Sequence, residues 1–228
     1  MADNLPPIVI QTGQQPRHSI IWLHGLGADG HDFVPVIDEL KLPVAVRYIF
    51  PHAPMRPVTI NGGFVMRAWY DITQMAPSTG LRADSDAHQD AAGIRASQTY
   101  IESLIAREVE QGIAPDNIIL AGFSQGGAIV LHTALRQNTP IGGVLALSTY
   151  LPLSDSSANE MVAATTATSI FMAHGRSDTV VPYSLGVSSK EKLQAFGFAV
   201  EWHEYPMQHS VCNAELHDIG NWLAERLK

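Results

Sequence analysis

The sequence predicts an α/β fold in which a mostly parallel central sheet is covered by helices on both faces. Short apolar runs alternate along the chain with longer segments whose apolar residues recur at helical spacing. The apolar runs are continuous, as expected of strands that are buried on both faces. Strands and helices that alternate in this way are typical of a parallel sheet with helical connections.

Length and composition favour a single globular domain. The chain has 228 residues, of which 46% are apolar and 16% are charged, and its mean hydropathy is +0.03. A chain of this length buries about 70% of the surface that it exposes when unfolded. No repeat, low-complexity tract or linker divides the sequence, so we treat residues 1–228 as one domain.

The charge balance argues against two classes of partner. The formal net charge is −8, from 14 basic and 22 acidic residues, and the basic residues form no cluster. Nucleic acid and anionic membranes attract basic surfaces, so neither is expected as the main partner. No apolar run approaches the roughly 20 residues of a membrane span, so stable membrane insertion is not expected either.

The single cysteine and the N-terminal residues indicate the compartment. Cys212 is the only cysteine, so no disulfide can form within the chain, which fits a reducing compartment. The first residues lack the basic start and apolar core of a signal peptide. We therefore expect a cytoplasmic protein.

Strands are predicted at five places in the first half of the chain, residues 8–12, 19–23, 44–50, 58–60 and 64–66. Pro51 ends the third strand, and Asn61-Gly62-Gly63 between the last two predicts a hairpin. A helix is predicted to begin near Asp32 and to cover residues 33–40. A polar, proline-containing loop is predicted over residues 72–86.

The second half of the chain alternates helices and strands. Ile94, Ile101 and Leu104 recur at helical spacing, so residues 87–111 are predicted to form an amphipathic helix that ends at Gly112. The helix that follows Ser124 is apolar almost all round, as expected of a buried helix. Further strands are predicted at 118–120, 142–147, 170–173 and 199–204, and further helices at 182–196 and 216–227.

The segment Gly122-Phe123-Ser124-Gln125-Gly126 has the pattern G-x-S-x-G. It lies between a predicted strand and a predicted helix, which is the context of a nucleophile elbow, a sharp turn that exposes a serine hydroxyl. Glycine is needed two residues to either side because a side chain there would collide with neighbouring backbone. The positive end of the following helix favours negative charge near the serine. We predict that Ser124 is a nucleophile; the alternative is a glycine-rich turn with an incidental serine.

A serine nucleophile needs a base, normally a histidine that is oriented by a carboxylate. After an elbow of this kind the acid follows the serine in the chain, and the histidine follows the acid. Asp178 lies in a loop directly after a predicted strand, whereas Asp155 and Glu160 lie in a polar segment that no strand precedes. Asp178 is therefore the predicted acid; the alternative is a helix-capping or solvated loop aspartate.

Three of the ten histidines follow Asp178. His203 lies in the last predicted strand, and His217 lies in the last predicted helix. His209 lies in the loop between them, where open parallel sheets place functional groups. We predict that His209 is the base and that His174, which precedes the acid, braces its loop.

Two other residue classes carry no predicted chemistry. His24, His31 and His52 are scattered without metal-ligand spacing, so no metal site is predicted. Cys212 has no elbow around it and is expected to pack near the site.

The segment Gly25-Leu26-Gly27-Ala28-Asp29-Gly30 matches the dinucleotide-binding pattern G-x-G-x-x-G. That pattern also requires an acidic residue about 20 positions further on, at the end of the second strand. Here the strand that comes after the loop and its helix ends in Phe50-Pro51-His52-Ala53-Pro54, which contains no carboxylate. A loop at this position can instead offer backbone N–H groups to an anion, as in serine hydrolases of this topology. We favour that role and keep nucleotide binding as the alternative.

Several longer motifs occur together and in order: Leu23-His24-Gly25-Leu26-Gly27, Pro51-His52-Ala53-Pro54, Pro57-Val58-Thr59, Trp69-Tyr70-Asp71, Gly122-Phe123-Ser124-Gln125-Gly126-Gly127 and the run from His174-Gly175 through Asp178. The series resembles the small carboxylesterase, lysophospholipase and acyl-protein thioesterase family of α/β-hydrolases, over about residues 17–226. The resemblance is strongest to bacterial carboxylesterases, partly through Tyr205-Pro206-Met207.

The resemblance implies a function for individual residues. Ser124, Asp178 and His209 would form the catalytic triad, and the backbone N–H groups of Leu26 and Gln125 would form the oxyanion hole. No cofactor is implied, and relatives of this kind often form homodimers. The chain departs from the family pattern at Arg67, where a proline is expected, and at Gln208, where bacterial relatives often have glycine. Both departures concern substrate preference and leave the triad intact.

The sequence therefore predicts a serine carboxylesterase that hydrolyses short- to medium-chain acyl esters through an acyl-enzyme. Cleavage of acyl-protein thioesters and hydrolysis of lysophospholipids are alternatives within this class. Outside it, the fold could serve as a non-catalytic ligand-binding module, because fold does not settle function.

Two apolar segments are predicted to line the pocket for the acyl chain. One carries Trp69, Met75 and Leu81, and the other carries Leu151 and Leu153. Both are apolar inserts in otherwise polar connections, and a ligand pocket needs apolar walls. The alternative is that these residues only cap the core.

Overall fold

The computed structural model describes residues 5–73 and 86–228. The strands are β1 (Ile8–Gln11), β2 (His18–Leu23), β3 (Val46–Phe50), β4 (Met55–Val58), β5 (Phe64–Arg67), β6 (Ile118–Phe123), β7 (Gly143–Leu147), β8 (Ile170–Gly175) and β9 (Val200–Tyr205). The α-helices are α1 (Val36–Leu40), α2 (Ala91–Glu110), α3 (Gln125–Ala134), α4 (Ser154–Glu160), α5 (Tyr183–Ala195) and α6 (Asn213–Arg226).

The main sheet has the strand order β1-β3-β2-β6-β7-β8-β9, and β4 pairs with β5 in a separate hairpin. Within residues 5–73 and 86–228, only β1 runs antiparallel to its neighbour in this sheet. The other strands therefore end at the same edge, where the loops that follow β2, β6, β8 and β9 meet. Open α/β sheets bind their ligands at this edge. The predicted fold class is confirmed.

Each face of the sheet carries a buried apolar layer. In β2, Ile20 and Trp22 pack into one layer together with side chains of α1 and α6, such as Trp222. Ile21 and Leu23 point to the opposite face and pack with side chains of α2 and α3. A strand that buries both faces needs the continuous apolar run from which it was predicted.

The first helix is shorter than predicted. Residues 33–40 were expected to be helical, but α1 begins at Val36. Pro35 directly precedes it, and proline disfavours a helical conformation of the residue before it. The residues directly before α1 form turns instead, in which the backbone N–H bonds the carbonyl three residues earlier. An example is the Val36 N–H, which donates to the Phe33 carbonyl at 3.1 Å.

The hairpin is present, but its first strand lies earlier than predicted. Strand β4 ends at Val58, and Thr59–Asn61 forms a 3₁₀ turn. The Asp71 carboxylate accepts from the backbone N–H of Thr59 at 2.7 Å and from its hydroxyl at 2.6 Å. This side-chain anchor takes Thr59 out of the strand.

Helix α4 was not predicted, because Ser154–Glu160 is polar and shows no apolar periodicity. Its first turn is held by a residue that is distant in the sequence. The Asp86 carboxylate accepts from the backbone N–H of Asp155 at 3.1 Å and of Ser156 at 2.9 Å. A negative charge at a helix N-terminus stabilises it.

Candidate active site

Ser124 occupies the sharp turn between β6 and α3. Its backbone has φ 55° and ψ −120°, a conformation that residues with a side chain rarely adopt. The turn is held from both sides of the serine. The Ser124 N–H donates to the Leu147 carbonyl at 2.9 Å, and the Ser124 carbonyl accepts from the Thr149 hydroxyl at 2.7 Å. The strained conformation predicted for an elbow is therefore present.

The glycines of the turn allow backbone to pack on backbone. A methyl group added at Gly122 would lie 2.5 Å from the Gly126 carbonyl. A methyl group added at Gly126 would lie 2.6 Å from the carbonyl oxygens of Leu23 and His24, at the end of β2. Both distances are far below van der Waals contact, so a side chain at Gly122 would push the start of α3 away from β6, and one at Gly126 would push it away from β2.

The loops that follow β8 and β9 are bonded to each other. The Arg176 N–H donates to the Tyr205 carbonyl at 2.9 Å, and the Ser177 N–H donates to the Met207 carbonyl at 3.1 Å. A methyl group added at Gly175 would lie 2.4 Å from the carbonyl oxygens of Met207 and Gln208. The loop that carries His209 is therefore seated on the loop that carries Asp178.

The side chains of Ser124, His209 and Asp178 form a continuous chain of hydrogen bonds. His209 Nε2 lies 2.9 Å from Ser124 Oγ, and His209 Nδ1 lies 2.7 Å from Asp178 Oδ2. An ionised carboxylate only accepts, so Nδ1–H donates to Asp178 and Nε2 is left to accept the hydroxyl hydrogen of Ser124. The arrangement can deprotonate the serine as it attacks a carbonyl carbon.

Asp178 is the most enclosed of the three. Its side chain is 0% exposed, whereas the side chain of His209 is 16% exposed. Its second oxygen, Oδ1, accepts from the backbone N–H groups of Val180 and Val181, each at 2.9 Å. The carboxylate is thus fixed by its own loop, while the side chain of His209 stays partly exposed.

His174 lies beside Asp178, where it was predicted to brace the loop. Its Nε2 is 2.9 Å from the Val181 carbonyl and 3.5 Å from Asp178 Oδ2. The ring is fully buried, and burial lowers the pKa of His174. It therefore supports the Asp178 loop as a neutral donor.

The rival candidates have other partners. His203 bonds Glu201 at 2.8 Å, and His217 bonds Asn221 at 3.2 Å. Glu160 pairs with Arg136 at 2.8 Å and with Arg95 at 2.6 Å. Cys212 caps the N-terminus of α6, where its side chain accepts from the backbone N–H of the third residue of the helix.

The two predicted oxyanion donors flank Ser124. Leu26 lies in the loop after β2, and Gln125 is the first residue of α3. Within the described residues, neither backbone N–H has an intramolecular acceptor. The loop lies against the serine, because a methyl group added at Gly25 would be 3.4 Å from Ser124 Cβ. The role of the two N–H groups as oxyanion donors stays a prediction.

The side chain of Gln125 has a structural role that the sequence analysis did not assign. Its Oε1 accepts from the Trp69 N–H at 2.7 Å, and its Nε2 donates to the Tyr70 carbonyl at 2.8 Å. It thereby ties the elbow to the segment around Trp69. The feature of the sequence that could have indicated this role is a polar side chain at the start of an otherwise apolar helix.

The glycines of the G-x-G-x-x-G pattern serve packing of the loop. A methyl group added at Gly30 would lie 2.6 Å from the Phe50 carbonyl, and Gly27 has a φ of 78°. The Gly30 N–H donates to His52 Nδ1 at 3.1 Å. The carboxylate that a ribose would need is absent from the end of β3, and the loop is closed against that end by His52.

The predicted acyl-pocket residues divide into two groups. Trp69, Leu151 and Leu153 are 0%, 1% and 2% exposed and belong to the apolar layer under α2 and α3. Met75 and Leu81 lie outside the described residues. Contact of any of the five with an acyl chain stays a prediction.

Two other classes of site were considered for the chain, a metal centre and a membrane span, and neither is found among the described residues. No group of three or more His, Cys, Asp or Glu side chains is placed there to hold a metal ion. None of the helices found there is long and apolar enough to cross a membrane.

Comparison with known proteins places the chain among esterases and thioesterases. A family model described as phospholipase/carboxylesterase matches residues 5–227. The acyl-protein thioesterase 1 of Neurospora crassa is 39% identical over 97% of this chain and 92% of its own length. The acyl-protein thioesterase 1 of Gibberella zeae is 37% identical over 98% of this chain and 96% of its own length.

Solved structures give the same result. Arabidopsis thaliana SOBER1 superposes with a TM-score of 0.84 at 30% identity, over 92% of this chain and 99% of that chain. Zea mays acyl-protein thioesterase 2 superposes with a TM-score of 0.81 at 27% identity, over 97% of this chain and 99% of that chain.

Proposed function

The chain belongs to the phospholipase/carboxylesterase family, and on that premise we propose that it cleaves acyl esters and thioesters through an acyl-enzyme on Ser124. The observation that carries the proposal is the hydrogen-bond chain from Ser124 Oγ through His209 to Asp178, at 2.9 Å and 2.7 Å. The strained backbone at Ser124 supports it, since conformations of this kind concentrate at functional sites.

The first half of the reaction forms the acyl-enzyme. His209 Nε2 takes the proton from the Ser124 hydroxyl while Oγ attacks the carbonyl carbon. The carbonyl oxygen becomes an oxyanion, which the N–H groups of Leu26 and Gln125 stabilise by hydrogen bonds. The bond to the leaving oxygen or sulfur then breaks, and His209 returns the proton to the leaving alcohol or thiol.

The second half releases the acid. His209 takes a proton from water, and the water oxygen attacks the acyl carbon to give a second oxyanion. That intermediate collapses, the Ser124 Oγ leaves, and His209 returns the proton to it. Asp178 holds the imidazole in the Nδ1–H tautomer throughout and stabilises its charged form.

We further propose that acylated proteins are the preferred thioester substrates. The support is that relatives sharing 39% and 37% identity with this chain are named acyl-protein thioesterase 1. On this hypothesis, the carboxylesterase activity predicted from the sequence is a broader activity of the same site on small esters. Lysophospholipid hydrolysis is the remaining alternative.

A substrate panel separates these readings. We would compare kcat/KM for p-nitrophenyl butyrate, a lysophosphatidylcholine and a peptide that carries a palmitoyl thioester on cysteine. Acyl-protein thioesterase activity predicts the highest kcat/KM for the acylated peptide. A higher kcat/KM for the small ester would support a carboxylesterase, and a higher kcat/KM for the lysolipid would support a lysophospholipase.

The role of Ser124 is tested by substitution and labelling. Ser124→Ala should lower kcat by several orders of magnitude without unfolding the protein, because the triad acts as a unit. A fluorophosphonate should label Ser124 of the wild-type protein, as located by peptide mass spectrometry. Near wild-type turnover by the variant, or labelling at another serine, would refute the mechanism.

A further inference from the structure

His24 lies in the loop after β2, two residues before the predicted oxyanion donor Leu26. Its ring is 1% exposed. His24 Nδ1 lies 2.7 Å from the Gly25 carbonyl oxygen, and His24 Nε2 lies 3.0 Å from the Ala53 nitrogen. The His24 carbonyl also accepts from the indole N–H of Trp69 at 2.8 Å. The residue is therefore fixed through its backbone and through both ring nitrogens.

These contacts fix the tautomer of the ring. The Ala53 N–H can only donate, so Nε2 accepts from it and the ring hydrogen lies on Nδ1. Burial lowers the pKa of His24 to about 4, so the ring is neutral near pH 7 and has a single N–H. That N–H faces the Gly25 carbonyl and donates to it.

The Gly25 carbonyl and the Leu26 N–H belong to one peptide unit. In a trans peptide the two groups point in opposite directions, and the unit is planar. Within the described residues every peptide bond is trans. A hydrogen bond that holds the Gly25 carbonyl therefore also sets the direction of the Leu26 N–H, which has no intramolecular acceptor in the described part of the chain.

We propose that His24 is a positioning residue, which holds the Gly25 carbonyl so that the Leu26 N–H faces the oxyanion formed at Ser124. The inference rests on the proposed function and names the group that prepares its oxyanion hole. The Ala28 N–H also donates to the Gly25 carbonyl, but at 3.4 Å, so the His24 bond at 2.7 Å is the shorter of the two. Without the His24 bond only this long turn bond opposes rotation of the peptide unit, which would aim its carbonyl oxygen at the oxyanion and repel it. Donors that are oriented before the reaction stabilise the transition state without reorganisation.

Substitution of His24 by asparagine or by glutamine tests the two hydrogen bonds of its ring separately. Asparagine places its amide nitrogen at about the position of Nδ1 and can still donate to Gly25. Glutamine places its amide at about the position of Nε2 and can bond Ala53 but not Gly25. We expect His24→Gln to lower kcat/KM for p-nitrophenyl butyrate by about 10²-fold, as for the loss of one oxyanion donor. We expect His24→Asn to stay within about tenfold of the wild type.

Inhibitor affinity distinguishes positioning from a general structural role. A butyl trifluoromethyl ketone forms an oxyanion on the serine, whereas the corresponding alcohol does not. His24→Gln should weaken binding of the ketone in proportion to the loss of kcat/KM and should leave binding of the alcohol unchanged. Equal losses of activity in the two variants would overturn the proposal. So would a loss of kcat/KM that leaves affinity for the ketone unchanged.

His52→Gln serves as the matched control. His52 is buried in the same region and accepts from the Gly30 N–H at 3.1 Å, but it does not contact the Gly25–Leu26 peptide unit. Its kcat/KM should stay close to that of the wild type. A loss equal to that of His24→Gln would assign the effect to the loop as a whole and overturn the proposal.

A measurement on the wild-type protein covers the case in which the variants do not fold. Nitrogen-15 NMR should show His24 as the Nδ1–H tautomer at pH 7, and the Leu26 amide proton should move downfield when the trifluoromethyl ketone is added. The other tautomer, or an unmoved Leu26 proton, would overturn the proposal. A wild-type protein that is inactive on every ester and thioester would instead refute the proposed function. Labelled Ser124 together with a fully active His24→Gln variant would refute only the role of His24.

Discussion

Ser124 combines a rare backbone conformation with a hydroxyl that is bonded to His209, and both depend on glycines that have no chemistry of their own. Gly122 and Gly126 lie where a methyl group would be 2.5–2.6 Å from backbone atoms. In the pattern G-x-S-x-G, the two glycines are therefore required by backbone packing, and the serine is the predicted nucleophile. This is why the serine could be singled out before any tertiary structure was considered.

Gly126→Ala is expected to impair the enzyme. Its methyl group would overlap the carbonyl oxygens of Leu23 and His24 at 2.6 Å, so the elbow must shift relative to the loop after β2. Because overpacking of a tight site costs roughly 1–3 kcal/mol, the melting temperature should fall, and kcat should fall with it. Thermal unfolding and ester hydrolysis measure the two effects.

Gly220→Ala is the matched control for that prediction. Gly220 is also helical, but the nearest atom to its added methyl group would be the Leu40 carbonyl oxygen at 3.6 Å, an ordinary contact. Alanine in a helix is more stable than glycine by up to about 1 kcal/mol, so this variant should melt at the same or a higher temperature. If Gly126→Ala behaved in the same way, the steric account of the elbow would be wrong.

At the scale of elements, α4 depends on a partner outside itself. It is short and polar, and Asp86 accepts from two of its first backbone N–H groups. Removal of a side chain that caps a helix costs about 0.5–2 kcal/mol. Asp86→Ala should lower the free energy of unfolding in urea by that amount, whereas Asp38→Ala, at an exposed position of α1, should change it little. Equal stability of Asp86→Ala and the wild type would contradict the anchoring role.

The start of α6 contains a buried carboxyl group. Glu215 is 0% exposed, and burial raises its pKa to about 8 from an ordinary value of 4.5. Between about pH 4.5 and pH 8, the Glu215 carboxyl group is thus protonated in the folded protein and ionised in the unfolded chain. Stability from this group is full below about pH 4.5 and is lost as the pH rises through about 8.

Glu215→Gln tests this linkage, because glutamine keeps the shape and cannot ionise. The melting temperature of the wild type should fall relative to that of the variant as the pH is raised from 5 to 9, because this range crosses the folded-state pKa of about 8. A difference between the two proteins that does not change with pH would show that Glu215 is ionised in the folded state.

At the scale of the whole molecule, buried histidines make the fold sensitive to acid. Burial lowers the pKa of five histidines, to about 4 for His24 and to about 3 for His132, with His18, His52 and His174 shifted in the same direction. The unfolded chain binds these protons near the ordinary value of 6.5. The unfolded state thus binds more protons, and stability falls as the pH drops below about 6.5.

Urea unfolding of the Glu215→Gln variant between pH 7 and 4.5 tests this prediction, because that variant lacks the opposing pH dependence of Glu215. The free energy of unfolding should decrease over that range, and the decrease should be smaller when His132→Gln is added, because this removes the buried histidine of α3. A free energy that stays constant over this range would mean that these histidines are charged, or exposed, in the folded protein.

The order of the strands and of every helix except α4, the elbow and the three predicted triad residues could be obtained from the sequence, because each of these leaves a local pattern. An apolar run predicts a buried strand, glycines mark backbone contacts, and Asp178 and His209 each follow a strand in a parallel sheet, whose ends share one edge. The family resemblance added the oxyanion donors.

Contacts between residues far apart in the chain were decided by the tertiary structure alone. Ser124 and His209 are 85 positions apart, and Asp155 and the Asp86 that starts its helix are 69 positions apart. The tautomer of His24 depends on Ala53, which lies 29 positions away and donates through a backbone N–H that every residue except proline has. Such a bond leaves no mark on residue type, so only the folded chain shows that His24 faces Gly25 with its single N–H.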